Sequence, residues 1–257
     1  MDLQLQGKTA FVMASTDGLG KAVAETLAAE GANVVITGRR GGLAGQIAAT
    51  LPSAIGIELD VLDPGSRAMA LKNATEHFGP VDILVLNGPG PRPAAAADLT
   101  AEDVAASYDR LVAPGHDLVA RVLHGMRERG WGRILAVGSS GIVSPLPNLA
   151  SSNLGRAALA GYLKTLSAEV AADGVTVNLV LPGRIATNRV AQVDEVQAER
   201  LGIDPSEARQ RSQQAIPAER YGRPEEFGAA TAFLCSGPAA YITGVALRVD
   251  GGLVRSL

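Results

Sequence analysis

The sequence predicts a doubly wound α/β domain, with one parallel sheet of about seven strands and helices on both faces. Two observations carry that expectation. Short runs rich in Val, Ile and Leu alternate with longer Ala-rich segments of helical period, and the first run feeds a glycine-containing turn that opens a helix. Strands buried on both faces read as continuous apolar runs, and their alternation with helices implies right-handed crossovers onto one sheet. With 257 residues, 47% of them hydrophobic, the chain can bury a sizeable single core.

The predicted strands are residues 9–13, 33–37, 55–58, 83–86, 133–137, 176–181 and 246–249. Between the first two, residues 19–30 place Leu19, Val23, Leu27 and Ala28 on one stripe, and Gly31 stops the helix. Residues 154–172 repeat that pattern with Leu159, Leu163, Leu166 and Val170, up to Asp173-Gly174. One region breaks the rhythm. Residues 188–223, after the sixth strand, carry Asp194, Glu195, Glu199, Arg200, Asp204 and Glu207 among few apolar residues. Ligands of open parallel sheets bind outside the carboxyl ends of the strands, so this insertion is expected to be a mobile substrate lid. A solvated helical hairpin is the other reading. No repeat or linker divides the chain, and residues 1–257 are read as one domain with 188–223 as its lid.

Lys+Arg 23 against Asp+Glu 26 leaves a net charge of −3, without the basic footprint of a nucleic-acid binder. A single cysteine, Cys235, permits no intramolecular disulfide and no cysteine-based zinc site. No His/Asp/Glu cluster has metal-ligand spacing, so no metal is expected. Of the three histidines, His77 and His124 read as surface residues, and only His116 has a path to a site. The N-terminus lacks a signal-peptide pattern and no stretch approaches a membrane span. A cytoplasmic protein with a small-molecule substrate, and with neither nucleic acid nor membrane as partner, is expected.

The first strand runs into Ala14-Ser15-Thr16-Asp17-Gly18-Leu19-Gly20 and then a helix. Glycine there lets the backbone approach a pyrophosphate, and the helix N-terminus offers unpaired N–H donors and a positive dipole end. The second strand ends at Thr37-Gly38-Arg39-Arg40. A carboxylate at that place would accept bonds from the ribose hydroxyls of NAD(H) and repel a 2′-phosphate. Two arginines instead offer planar forks for a phosphate, which favours NADP(H) over NAD(H). Their other reading is a pair of solvated surface arginines.

Further landmarks follow in order: Asp60-Val61 after the third strand, Asn87-Gly88 after the fourth, and residues 133–139 ending in Gly138-Ser139. Leu181-Pro182-Gly183, with Thr187 four residues on, and Val249-Asp250-Gly251-Gly252 complete the series. Together with the first turn they resemble the short-chain dehydrogenase/reductase family over essentially the whole chain, 3-oxoacyl-ACP reductases in particular. The resemblance implies a Rossmann-like fold, an adenine beside Asp60-Val61, and a homotetramer or dimer.

The same resemblance implies a tetrad of Asn, Ser, Tyr and Lys, in which the tyrosine protonates a carbonyl oxygen. Ser139 sits where the family has its serine. Thirteen residues on, the tyrosine position holds Ser152; four further, the lysine position holds Arg156; the asparagine position falls on Leu111. Met13 and Ala14 stand where Thr and Gly are usual, and Leu86-Asn87-Gly88-Pro89 replaces Asn-Asn-Ala-Gly. None of the four tyrosines is followed four residues later by lysine. Tyr162 lies nearly three turns beyond Ser152, about 15 Å along a helix, and Tyr221 would have to fold back from the lid. Ser152 and Arg156 share a helix face, so Arg156 is expected to hold the cofactor and stabilise an oxyanion, with Ser152 relaying a proton. Capping of that helix by Ser151, Ser152 and Asn153 is the other reading. An NADP(H)-dependent carbonyl/alcohol oxidoreductase with altered catalytic residues is the leading expectation. Alternatives are a non-redox NADP(H)-binding role, sensory or structural, or a dehydratase or isomerase in the same cleft.

Overall fold

The computed structural model describes residues 1–256. Seven parallel strands form one sheet in the order β3-β2-β1-β4-β5-β6-β7. They are β1 (Thr9–Val12), β2 (Asn33–Gly38), β3 (Ala54–Glu58), β4 (Ile83–Leu86), β5 (Gly132–Val137), β6 (Val175–Pro182) and β7 (Ala246–Val249). All seven fall where the apolar runs predict them, within a residue at each end.

Alternation along each strand builds two cores. On β1, Phe11 points to one face while Ala10 and Val12 point to the other; on β5, Ile134 and Ala136 oppose Leu135 and Val137. Helices α1 (Gly18–Ala29) and α2 (Gly41–Ala48) cover one face with the later helix α9 (Pro224–Leu234). Helices α3 (Pro64–Phe78), α5 (Ala113–Glu128) and α6 (Ala150–Val170) cover the other, and α4 (Ala101–Leu111) packs beside α6. Arg67 of α3 is buried and donates to Asp117 of α5 at 2.6 Å. Burial alone would raise the Asp117 pKa, but Arg67 and Arg121 beside it hold it below the ordinary carboxylate value.

The helix α6 begins at Ala150, four residues before the stripe that predicts it, because its first turn carries Ser151, Ser152 and Asn153 in place of large apolar residues. Its N-cap is Leu149 and no side chain caps it, so Ser151, Ser152 and Asn153 are not the cap. Asn153 instead donates to Leu146 O at 2.9 Å.

Residues 188–223 form two helices, α7 (Asn188–Leu201) and α8 (Pro205–Gln214). Few apolar side chains hold them: Ala198, Ala208, Ile216 and Tyr221 are buried. A short parallel bridge between Ile185 and Gly222 closes the base of the excursion. Beside that bridge Arg220 binds Glu226 in a two-pronged pair at 2.8 Å, which draws the Glu226 carboxyl down to about 2.

Candidate active site

The strand order reverses at β1, whose neighbours are β2 and β4. A crevice therefore opens where the chain leaves β1 and β4 on diverging crossovers. Asn87, just past β4, donates to Ala14 O at 3.1 Å and ties the two exits together. A Cβ on Gly20 would lie 2.5 Å from Ala14 O and 2.6 Å from Asn87 Nδ2, so only glycine fits that contact.

The donors of the first turn divide in two groups. Ser15 is fully buried: its N–H donates to Thr37 O at 2.8 Å, its hydroxyl to Val12 O at 2.9 Å, and it accepts from Thr37 N. Both its donors thus brace β1 against β2, and it is not placed to present them to a ligand. Asp17 caps α1, accepting from Gly18 N at 2.8 Å and, more weakly, from Asn188 at the start of α7. The N–H groups of Leu19 and Gly20 find no partner among the described residues and are what the helix offers an anion. Thr16 packs against Gly38, where a Cβ would come within 2.8 Å of it.

Ala14 occupies the left-handed region, at φ 47°. An alanine there costs about 1–2 kcal/mol, offset in part by the entropy that glycine would lose on folding. Ala14→Gly is expected to stabilise the fold by about 0.5–1 kcal/mol, read as a rise in Tm of roughly 1–4 °C. A lower Tm would mean that the Ala14 methyl makes a contact worth more than its strain.

Arg39 and Arg40 are exposed at the end of β2, and neither forms an ion pair among the described residues. Glu58 on β3 lies in register with Gly38, so a carboxylate stands one strand away, a neighbour that the strand-end motif alone does not reveal. Asp60 is exposed and braces its own loop, accepting from Leu62 N at 2.9 Å, while Val61 is buried at the crevice. Farther along, Gly183 packs on Asp250, 2.6 Å from where its Cβ would lie, and donates to Val249 O at 3.0 Å. That contact joins the motif after β6, Pro182 included, to the one after β7. Thr187 is the N-cap of α7, yet its hydroxyl makes no capping bond and stays free for a ligand. It also lies near Gly18, at 3.9 Å from where a Cβ would stand.

Ser139 follows β5 and accepts from Gly141 N at 3.0 Å, which leaves its own O–H to donate. Ser152 likewise accepts, from Arg156 Nε at 3.2 Å. Arg156 Nη1 donates to Val137 O and Gly138 O, both at 3.0 Å. Burial lowers the Arg156 pKa, and no carboxylate is near enough to restore it. Arg156 lines a narrow cavity of about 30 Å³ together with Val61, Asn87, Gly88, Leu111 and Arg110. Of the candidates, Val61, Asn87, Gly88 and Arg156 line this cavity, while Ser139 and Ser152 do not, and Ser152 is joined to it by its bond with Arg156.

Arg110 is the residue that sequence reasoning missed. His116 is exposed, its ring tilted against Tyr162 at 5.4 Å, and neither ring lines the cavity. Tyr221 is buried and donates to both carboxylate oxygens of Asp194 at 2.9 Å; burial and Asp194 raise its pKa. It is engaged inside the excursion and is no replacement acid. Among the described residues no group of His, Cys, Asp and Glu is placed to hold a metal, and no helix is long and apolar enough to cross a membrane.

A parallel sheet with a glycine-bearing turn at its switch point defines a dinucleotide-binding domain of Rossmann type. The chain belongs to the short-chain dehydrogenase/reductase family: residues 13–254 match the family model described as enoyl-(acyl carrier protein) reductase. It is 36% identical over 254 residues to the 3-oxoacyl-(acyl-carrier-protein) reductase FabG of Vibrio cholerae, covering 98% of this chain and 99% of that one. The NADPH-dependent reductase BacG of Bacillus subtilis is 32% identical over 256 residues, 97% of this chain and 99% of BacG. L-sorbose reductase from Gluconobacter frateurii, solved with NADPH and L-sorbose, superposes with a TM-score of 0.94 at 30% identity, with all of each chain covered.

Proposed function

We propose that this protein is an NADP(H)-dependent oxidoreductase that interconverts a carbonyl and an alcohol on a small molecule. One observation carries the reading: Arg156, at the position of the family's lysine, lines the same cavity as Val61, Asn87 and Gly88 at the β1/β4 crevice. The fit to the cofactor rests on the Gly20 cradle, the unpaired N–H groups of Leu19 and Gly20, and the unengaged Arg39-Arg40 pair. Bound there, NADPH supplies the hydride. Ser139 donates its free O–H to the carbonyl oxygen and orients it. Arg156, a fixed cation, stabilises the negative charge that develops on that oxygen. It cannot give up a proton, so the proton arrives through the Ser152 hydroxyl or a water beside it. Thr187 contributes a hydroxyl to the cofactor from the start of α7.

Residues 188–223 belong to this reading as a lid. Hydrogen exchange in that segment is expected to slow when NADPH binds; protection already complete in the free protein would make it a static hairpin. Self-association, as homotetramer or dimer, is supported by the edge strand β7 with exposed Leu247 and by the fully exposed Tyr241 near it. A cytoplasmic setting accords with the single buried thiol of Cys235 and with the likeness to FabG.

The direct test follows NADPH absorbance with a panel of ketones and quinones. Consumption with at least one of them is expected. Tight NADPH binding without any consumption would favour the non-redox reading, which the lack of a phenol at position 152 keeps in contention.

A further inference from the structure

We infer that the substrate is an anion, a short oxo or hydroxy acid whose carboxylate Arg110 and Arg156 hold in the cavity they share. This deepens the oxidoreductase reading and rests on that cavity being the substrate side of the cleft.

The charges decide it. The ionisable side chains lining the cavity are the two guanidiniums, and no carboxylate lines it; apart from Asn87 the remaining lining is Gly88, Gly115 and apolar side chains such as Leu111, Pro114 and Leu159. Elsewhere the buried Arg67 is paired with an acid, Asp117 at 2.6 Å. Arg133, buried without a carboxylate, stacks on Trp131 and bonds to carbonyls away from this cavity. Arg156, like Arg133, has only neutral partners, and it differs from Arg133 in lining this cavity beside a second guanidinium. Its three hydrogen bonds go to neutral oxygens, of Val137, Gly138 and Ser152, and Nη2 is the unbonded end.

A desolvated cation with only neutral partners costs free energy that an incoming anion offsets. Arg110 ends α4 and is exposed, with no ion pair among the described residues, so it is free to close on the same anion. Holding cofactor hydroxyls would account for Arg156 but not for Arg110. A narrow slot with apolar walls and two planar forks suits a short oxo or hydroxy acid.

Calorimetric titration of the NADP⁺ complex with matched acid and amide pairs tests this: pyruvate and pyruvamide, acetoacetate and acetoacetamide, levulinate and its amide. For at least one pair the acid is expected to bind about tenfold or more tightly, as a charge-assisted contact provides, and to weaken with salt. In Arg110→Gln that ratio is expected to fall to roughly two while NADP⁺ affinity is unchanged. No preference for the acid in any pair overturns the inference, as does a preference that survives Arg110→Gln. Acids that bind selectively yet never consume NADPH would leave the inference standing and remove the reductase reading. Neutral ketones reduced with no advantage to the acids would do the reverse.

Discussion

Arg39→Ala is expected to weaken NADPH binding about tenfold to a hundredfold, the roughly 1.5–3 kcal/mol of a hydrogen bond to a charged group, and to leave NADH nearly unchanged. Among the described residues no side chain engages Arg39, which is exposed and lies just past Gly38 at the end of β2. Arg40 is the N-cap residue of α2 but makes no side-chain capping bond, so it too is available to a phosphate. Glu58 is the opposing influence. It stands in register with Gly38 on the neighbouring strand, and a carboxylate near the ribose would favour NADH. Because two cations face one anion, the phosphate-bearing cofactor should prevail, and the preference should shrink as salt rises. Titrating both cofactors against wild type and Arg39→Ala measures it; equal affinities in the wild type would show that Glu58 governs the choice.

The strands were legible because each is buried on both faces, so a run such as Ile134-Leu135-Ala136-Val137 reads the same wherever it packs. The cofactor turn was legible because its geometry is local: a strand, a glycine and a helix N-terminus within a dozen residues. Ser15 shows where local reading stops. Its donors go to Val12 and to Thr37 on the neighbouring strand, a pairing that only the register of β1 with β2 creates. Arg110 shows the same limit from the other side. In sequence it is one more cation at the end of an amphipathic helix, and only the packing of α4 on α6 brings it to the cavity. That packing is tight: a Cβ on Gly155 would lie 2.7 Å from Leu111 Cδ1 and 2.9 Å from Ser107 O. The charge-rich stretch after β6 reads as helical in the sequence, but its bounds do not, since only a handful of buried residues seat its two helices.

Ser152→Tyr combined with Arg156→Lys is expected to raise turnover of simple ketones about tenfold or more, the lower part of what a positioned general acid provides. The chemistry is asymmetric between the two positions. An aliphatic hydroxyl is a much weaker acid than a phenol of pKa about 10, so Ser152 adds little by itself and water can stand in for it. Arg156 is different, because Nη1 braces the carbonyls of Val137 and Gly138 while Nε holds Ser152. Truncating Arg156 should therefore cost more activity than Ser152→Ala, and should weaken the cofactor as well. Arg156→Lys alone should not help: one ammonium cannot repeat three bonds in fixed directions, and no phenol is present for it to activate. Only the pair supplies an acid and a cation one helical turn apart, with the cation lowering the phenol's pKa. The gain stays partial because Leu111, packed against Gly155, leaves the cavity apolar where the family places an asparagine. Steady-state rates on one neutral ketone, for wild type, both single variants and the double, decide the matter. A wild type that outpaces the double would mean that Ser152 and Arg156 already form a working apparatus, one suited to a substrate whose oxygen is met by a cation rather than by a proton.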